Sequence, residues 1–201
     1  VNQSELKQIL EKHRLWLNNE EGGGRANLSR ADLSYANLRS ADLRYADLSS
    51  ADLRSADLSY ADLSYADLRS ADLRYAALSS ADLRSADLSS ADLSYANLRS
   101  ADLRYADLSS ADLRSAIGNL QQIKSLFLDR WPVTYTAEIL QIGCQRHPVN
   151  DWFSFDDDRI SKMDAQALEW WGKYRDLIKQ TIELSPAQPT NHENKEGKES
   201  D

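Results

Sequence analysis

ADLSYANLRSADLRYADLSS, residues 31–50, decides the fold. Ala returns every fifth residue, from Ala26 to Ala111, and Leu returns two places later, from Leu28 to Leu113. Between them stands Asp in 14 of 18 units; the exceptions are Asn27, Asn37, Ala77 and Asn97. The fourth position is Ser or Arg, and the fifth is Ser or Tyr apart from Arg30. A period of five matches neither the 3.6 of a helix nor the 2 of a long strand. It fits a short extended piece followed by a corner. Ala and Leu, two apart, then point to one side and Asp to the other. Successive pieces wind into a coil with Ala and Leu inside. The block lacks Gly and Pro, so its corners must suit ordinary L-residues.

These units match the motif A(D/N)LXX, and the array resembles the pentapeptide-repeat family. The resemblance spans residues 26–115, and 18 consecutive matches make it specific. It implies a mainly β fold: a right-handed quadrilateral β-helix with four pentapeptides per coil. At 20 residues per coil and ~4.8 Å between neighbouring strands, the rod is roughly 22 Å long. Both ends of such a rod need covering.

The flanks read as covers. Residues 3–18 predict a helix with Asn2 as N-cap and Glu5 completing a capping box. Leu6, Ile9, Leu10, His13, Trp16 and Leu17 form its apolar stripe, expected to lie across the first coil. Gly22, Gly23 and Gly24 read as a flexible joint. Thus 1–25 is an N-terminal helical cap with a Gly linker, and 26–115 is the β-helix. Residues 116–185 form a mostly helical C-terminal cap. Within it, 119–130 reads as a helix stopped by Pro132, and Val133 to Cys144 as one strand. Two further helices follow, roughly 155–163 and from Asp164 to about Leu184. Residues 186–201 have no large apolar side chain and are expected to be disordered. The segments VTYTAEILQIGCQRH (133–147) and MDAQALEWW (163–171) resemble extensions that follow repeat arrays in some bacterial and phage members of the family. That resemblance confers no activity.

Composition narrows the function. A net charge of −8 argues against a protein that binds nucleic-acid backbones directly. One Cys excludes an internal disulfide framework and a multi-thiolate metal site. No apolar run approaches the ~20 residues that span a bilayer, and the first 25 residues do not read as a secretory signal. A soluble cytoplasmic protein with no membrane association is the expectation.

Candidate chemistry is sparse. Cys144 and His147 have half a zinc-site spacing, but the other histidines, His13 and His192, lie far off in the sequence. No third group orients a Cys–His nucleophile. Asp156, Asp157 and Asp158 lack the spacing, the Gly and the distal Glu of a calcium loop, and read as helix-start carboxylates. The repeat Asp residues read as a solvated ladder partly compensated by Arg, and the seven repeat Tyr as corner packing. We therefore expect no catalytic, cofactor-binding or metal-binding residues, no cofactor, and no enzyme.

The corner pairs SY, RS, RY, SS, RS recur with a 30-residue period from Ala31, Ala61 and Ala91. That regularity points to a designed or consensus array between natural caps, with recent tandem duplication as the alternative. The expected function is a non-enzymatic structural or interaction scaffold. The family resemblance supplies a second reading, since some members mimic DNA and act on a type II topoisomerase. The block carries 14 Asp and 10 Arg, a net of −4. That is about one charge per 5–6 Å of rod, against one per ~1.7 Å of B-DNA. The loops with which the family protects gyrase are also absent from the unbroken array. A third reading places an unrecognised activity in the C-terminal region. A homodimer through the C-terminal helix is the candidate self-contact, because Trp170 and Trp171 point about 100° apart on it. The sequence does not name a natural partner.

Stacking every fourth unit also predicts four unequal faces. The third, from Ala36, Ala56, Ala76 and Ala96, collects Asn37, Ala77 and Asn97 and nets +1, while the other three are negative.

Overall fold

The computed structural model describes residues 1–190. Each pentapeptide is one side of a square coil. Ala, Asp and Leu are extended, and the central residue bridges in parallel to its counterpart twenty residues on, from Asn27–Asp47 to Asn97–Ile117. Twenty residues therefore make one coil. Leu28 N–H donates to the Asp47 carbonyl (2.7 Å), Asp47 N–H to Ala26 (2.9 Å) and Arg30 N–H to Ser49 (2.9 Å), and this set repeats up the rod. Leu and Ala fill the bore; Leu43 to Leu103 are fully buried in every unit.

The corner is a β-turn closed by the next Ala N–H on the Leu carbonyl, as in Ala31 to Leu28 at 3.1 Å. Its second central residue has φ between 56° and 63° in all 18 units, while the first has none above zero. That is the type II signature, which normally favours Gly or Asn. Here Ser, Tyr and Arg30 occupy it, against a left-handed cost of roughly 1–2 kcal/mol per L-residue. The Asp or Asn explains how such corners hold. Its Oδ1 accepts the N–H two residues on, as in Asp57 from Ser59 (3.0 Å), Asp92 from Ser94 (2.9 Å) and Asn37 from Arg39 (3.1 Å). This Asx bond satisfies the one corner donor that the ladder leaves free. The motif's D/N choice follows, because both carry that oxygen. Ala77 cannot supply it, and the Ser79 hydroxyl turns to Ser59 Oγ at 3.2 Å instead. Ala77→Asn should therefore stabilise the rod by about 1 kcal/mol, read as a higher denaturation midpoint with an unchanged slope. An unchanged or lower midpoint would count against the Asx bond as the reason for the motif.

Helix α1 (Gln3–Leu17) begins with the expected capping box: Asn2 Oδ1 accepts from Glu5 N–H and Glu5 Oε2 from Asn2 N–H. Leu6 is buried in the rod's core, with Ile9 and Leu10 packed against it. Trp16 sits edge-on to Tyr45 at 6.4 Å. The Gly run is not a flexible joint. Gly24 N–H donates to the Lys12 carbonyl (2.9 Å), and a Cβ on Gly23 would come within 2.4 Å of Trp16 N. The chain is pressed against the last turn of α1, which only Gly permits.

The C-terminal cap differs most from the sequence expectation. Where 119–130 was expected to be helical, the chain makes a turn and then β1 (Lys124–Leu128). Leu120, assigned to that helix's apolar face, is 73% exposed with φ 64°. The expected single strand is two, β2 (Trp131–Tyr135) and β3 (Ile139–Ile142), and β4 (Gln145–Pro148) follows. Pro132 lies within β2, opposite Phe127, rather than ending a helix. The four strands form an antiparallel meander in chain order. A short helix that the sequence did not suggest, α2 (Val149–Ser154), comes next, and the expected 155–163 helix is the shorter α3 (Asp157–Ser161). Helix α4 (Ala167–Leu184) starts after Gln166, not at Asp164. The cap is thus α+β.

Its sheet alternates by period two. Val133, Tyr135, Leu140 and Ile142 share the helix-side core with Trp152, Ile160 and Ile178. Thr134 and Gln141, paired across β2 and β3, are buried on the opposite face. There Gln141 closes the rod: its Oε1 accepts from Leu113 N–H (3.0 Å) and its Nε2 donates to Asp112 Oδ1 (2.8 Å). Asn119 Nδ2 covers the Ala101 carbonyl (3.0 Å) and Ser125 Oγ that of Ala116. The start of the expected disordered tail is ordered. Ala187 is buried, Gln188 N–H donates to Gln121 (2.9 Å), and Tyr105 N–H donates to the Thr190 carbonyl where the ladder has run out. The rest of that expectation, 191–201, and His192 with it, lie outside the described residues.

Candidate functional site

The rod's outer faces carry most of its exposed chemistry. On three of them Arg44, Arg54, Arg69, Arg74 and Arg84 fold back onto the Asp of their own unit and reach up to the next, while Arg104 and Arg114 pair with their own Asp. Arg74 contacts Asp72 at 2.6 Å and Asp92 at 3.7 Å; Arg44 contacts Asp42 at 2.7 Å and Asp62 at 3.7 Å. Arg84, between Asp82 and Asp102, and Arg69, between Asp67 and Asp87, repeat the pattern. The guanidinium hydrogen bond holds the Asp42, Asp67, Asp72 and Asp102 carboxyls below the usual range, and the Asx N–H adds to it. The ladder of carboxylates is therefore more than a solvated surface: each Asp bonds its own corner, and many pair with Arg.

The third face is built differently. Asn37, Asp57, Ala77 and Asn97 bridge in one column, as the stacking of every fourth unit requires. Arg39 and Arg99 have no carboxylate in their own unit, and neither forms an ion pair among the described residues. Arg39 instead lies over the Tyr60 ring at 4.6 Å. The corners add two stacks of exposed rings one coil apart, Tyr45 on Tyr65 (5.0 Å, 11°) and Tyr75 on Tyr95 (4.9 Å, 8°). Four of the seven repeat Tyr thus stack on one another rather than pack on the corners, while Tyr35 is 80% exposed.

The other candidates fall to separate places. Cys144 is an exposed free thiol beside Gly143. His147 lies on β4 with its ring edge-on to Trp152 (5.5 Å) and Phe155 (5.0 Å). Asp156 caps α3 by accepting from Arg159 N–H (2.8 Å), and Asp158 pairs with Lys162. Among the described residues no group of three or more His, Cys, Asp or Glu could hold a metal ion. No helix among them is long and apolar enough to cross a membrane. Trp170 and Trp171 are both buried in the C-terminal cap, so neither offers the outward ring expected for a dimer contact.

His13 has a structural role that its place in the stripe hinted at. It is fully buried, stacks on Trp16 (5.6 Å), and its Nδ1 accepts the Ala26 N–H (3.1 Å), the first of the array. That bond needs a neutral ring. Burial pulls the imidazole below its ordinary 6.5, the Arg44 carbonyl and Asp42 opposing and Arg25 and Arg44 charges assisting. His147 is lowered too, by burial first and then by Arg159, with Asp151 opposing. A folded pKa below the unfolded one means stability that is present above pH 6.5 and lost as pH falls through the depressed values. Asp42, Asp67, Asp72 and Asp102 lose theirs in a second window, below their ordinary 3.8. Melting temperature should therefore drop in two steps on acidification, the caps first. A flat profile between about pH 7.5 and 5 would contradict this linkage.

Comparison with known proteins bears on the array. Eight copies of the pentapeptide repeats model match, over residues 24–59, 51–89 and 81–117. Among curated proteins none matches the chain. Among solved structures, HetL from the cyanobacterium Nostoc sp. strain PCC 7120, a pentapeptide repeat protein involved in heterocyst differentiation regulation, is 41% identical. The match covers 47% of this chain and 49% of HetL, with a TM-score of 0.43. This chain thus spans about half the length of that relative. A pentapeptide repeat protein of the Arabidopsis thaliana thylakoid lumen is 28% identical over 52% of this chain and 70% of its own, with a TM-score of 0.45. A further Nostoc pentapeptide repeat protein is 38% identical over 50% of this chain and 71% of its own, with a TM-score of 0.26. With the repeat model matched along the whole coil, the chain belongs to the pentapeptide repeat family.

Proposed function

We propose that the protein is a non-enzymatic interaction scaffold, a capped right-handed rod whose array is a designed or consensus one, and that its third face is the contact surface. The observation that carries this is the charge column: Asn37, Ala77 and Asn97 stack on one side, and Arg39 and Arg99 lack ion-pair partners there. Set against another face of a second copy, this net-positive side meets attraction, since the remaining faces are net negative. The runner-up, a DNA-mimicking ligand of a type II topoisomerase, needs a continuous acidic surface. The Arg–Asp pairs on the other three faces interrupt it, which favours the scaffold.

The test is lateral association at high concentration, by sedimentation. Ala77→Asp adds a charge at the centre of the face and should weaken association, while Ala77→Asn adds the same corner bond without charge and should not. Equal association of the two variants, or a wild type that stays monomeric throughout, rejects the reading. A homodimer through α4 is the other self-contact, and it now rests on Leu177 (47% exposed) and Leu184 (78% exposed). Replacing both with Glu separates it from the lateral contact.

A further inference from the structure

The C-terminal cap encloses a cleft that closing the rod does not require. Trp131, Trp152, Met163, Trp170 and Trp171 line it, with Asp164 also on its lining. Counted out to its mouth it holds about 390 Å³, of which about 50 Å³ admits the centre of a water molecule. The inner part alone is smaller than a ring needs, so a ring seated here also fills the open mouth. Gly143 keeps the wall close: a Cβ there would stand 3.1 Å from Trp131 Cδ1.

The indole N–H groups are unequal. Trp152 Nε1 donates to the Leu140 carbonyl at 2.6 Å. Trp170 and Trp171 are 8% and 5% exposed, and their Nε1 atoms are buried with no acceptor. A buried donor left unpaired costs about 1–3 kcal/mol, and buried Trp N–H groups normally find a partner. Two such donors on adjacent residues that line one aromatic cleft call for an acceptor supplied from outside the chain.

We propose that this cleft binds a small planar molecule carrying a hydrogen-bond acceptor, an aromatic ring bearing a carbonyl or amide, whose oxygen takes an indole N–H of Trp170 or Trp171 while the ring packs among the other indoles and Met163. Aromatic walls beside the Asp164 carboxylate also suit an organic cation. An ammonium brings no acceptor, however, and leaves both N–H groups unpaired.

The experiment uses the full chain and three single-ring probes: benzamide, toluene and phenyltrimethylammonium. Binding is followed by tryptophan fluorescence and by the indole Nε1–H resonances. Benzamide should bind saturably and move the Trp170 or Trp171 resonance. Toluene, which lacks the acceptor, should bind at least about tenfold more weakly, because a site built around a hydrogen bond rejects the analogue that cannot make it. Trp170→Phe and Trp171→Phe keep a ring and remove one donor each, and at least one should weaken benzamide about tenfold while leaving toluene unchanged. Toluene binding as well as benzamide, the ammonium binding tighter than either, or no saturable binding by any probe overturns the proposal. The three probes on the unaltered chain decide the matter even if a Phe variant fails to fold.

Discussion

Removing residues 1–24 is expected to turn a soluble rod into an aggregating one. The first coil has no neighbour before it. The N–H groups of Asn27, Asp32, Asn37 and Asp42 lack the Ala carbonyl that Asp47 N–H finds on Ala26. In the intact chain α1 covers this edge. Leu6, Ile9 and Leu10 pack on its apolar core, His13 accepts the Ala26 N–H, and the amino terminus donates to the Asp32 carbonyl at 3.2 Å. Without them Leu28, Leu33, Leu38 and Leu43 meet water beside a row of unpaired backbone groups, which is the template for edge pairing. The opposite end stays closed by Gln141 and Asn119, so head-to-tail fibres need both caps removed. Loss of the N-terminal cap alone should give amorphous association and a lower melting temperature. Light scattering and a thermal melt check this. A monomeric, equally heat-stable variant would refute the capping role.

The array was legible in the sequence because each unit is a local device. The two-residue spacing of Ala and Leu fixes which side is inside, and the unbroken count fixes which units stack, so the column of Asn37, Ala77 and Asn97 could be named in advance. What the repeat could not reveal is why its second residue is Asp or Asn. The Asx bond depends on a left-handed corner residue, and a block of Ser, Arg and Tyr gives no sign of φ near 60°. The C-terminal cap misled for a different reason. Leu120, Ile123 and Phe127 fall at helical spacing by chance. The strands beside them are only four or five residues long, too short for period two to assert itself. Their partners decide them, and those partners include the rod end itself, through Gln141. The paired Trp170 and Trp171 were visible in the sequence. The cleft was not, since it needs the β3–β4 turn, α3 and α4 to converge.

The second large effect concerns the bore. Leu28, Leu48, Leu68, Leu88 and Leu108 fall in one column, twenty residues apart. Leu68 is fully buried, whereas Leu108 at the end of the column is only half-buried. Leu68→Ala removes three carbons from the middle of a square tube. Whether the hole closes depends on whether the walls can move in. Here they cannot move easily, because Leu68 N–H is tied to the Asp87 carbonyl and Ala71 N–H to the Leu68 carbonyl, and every neighbouring unit is tied the same way. An unrelaxed cavity puts the cost at the high end of the Leu→Ala range, about 4–5 kcal/mol. Leu108→Ala acts on a site that water already reaches, so it should cost less than half as much. Denaturant unfolding with a common slope measures both. The damage at Leu68 should also be the harder to tolerate, because each coil contacts only its neighbours and a weak central coil divides the rod into two short stacks. Equal losses at the two positions would mean that the tube collapses freely around a missing side chain, and that the hydrogen-bonded corners do not set its width.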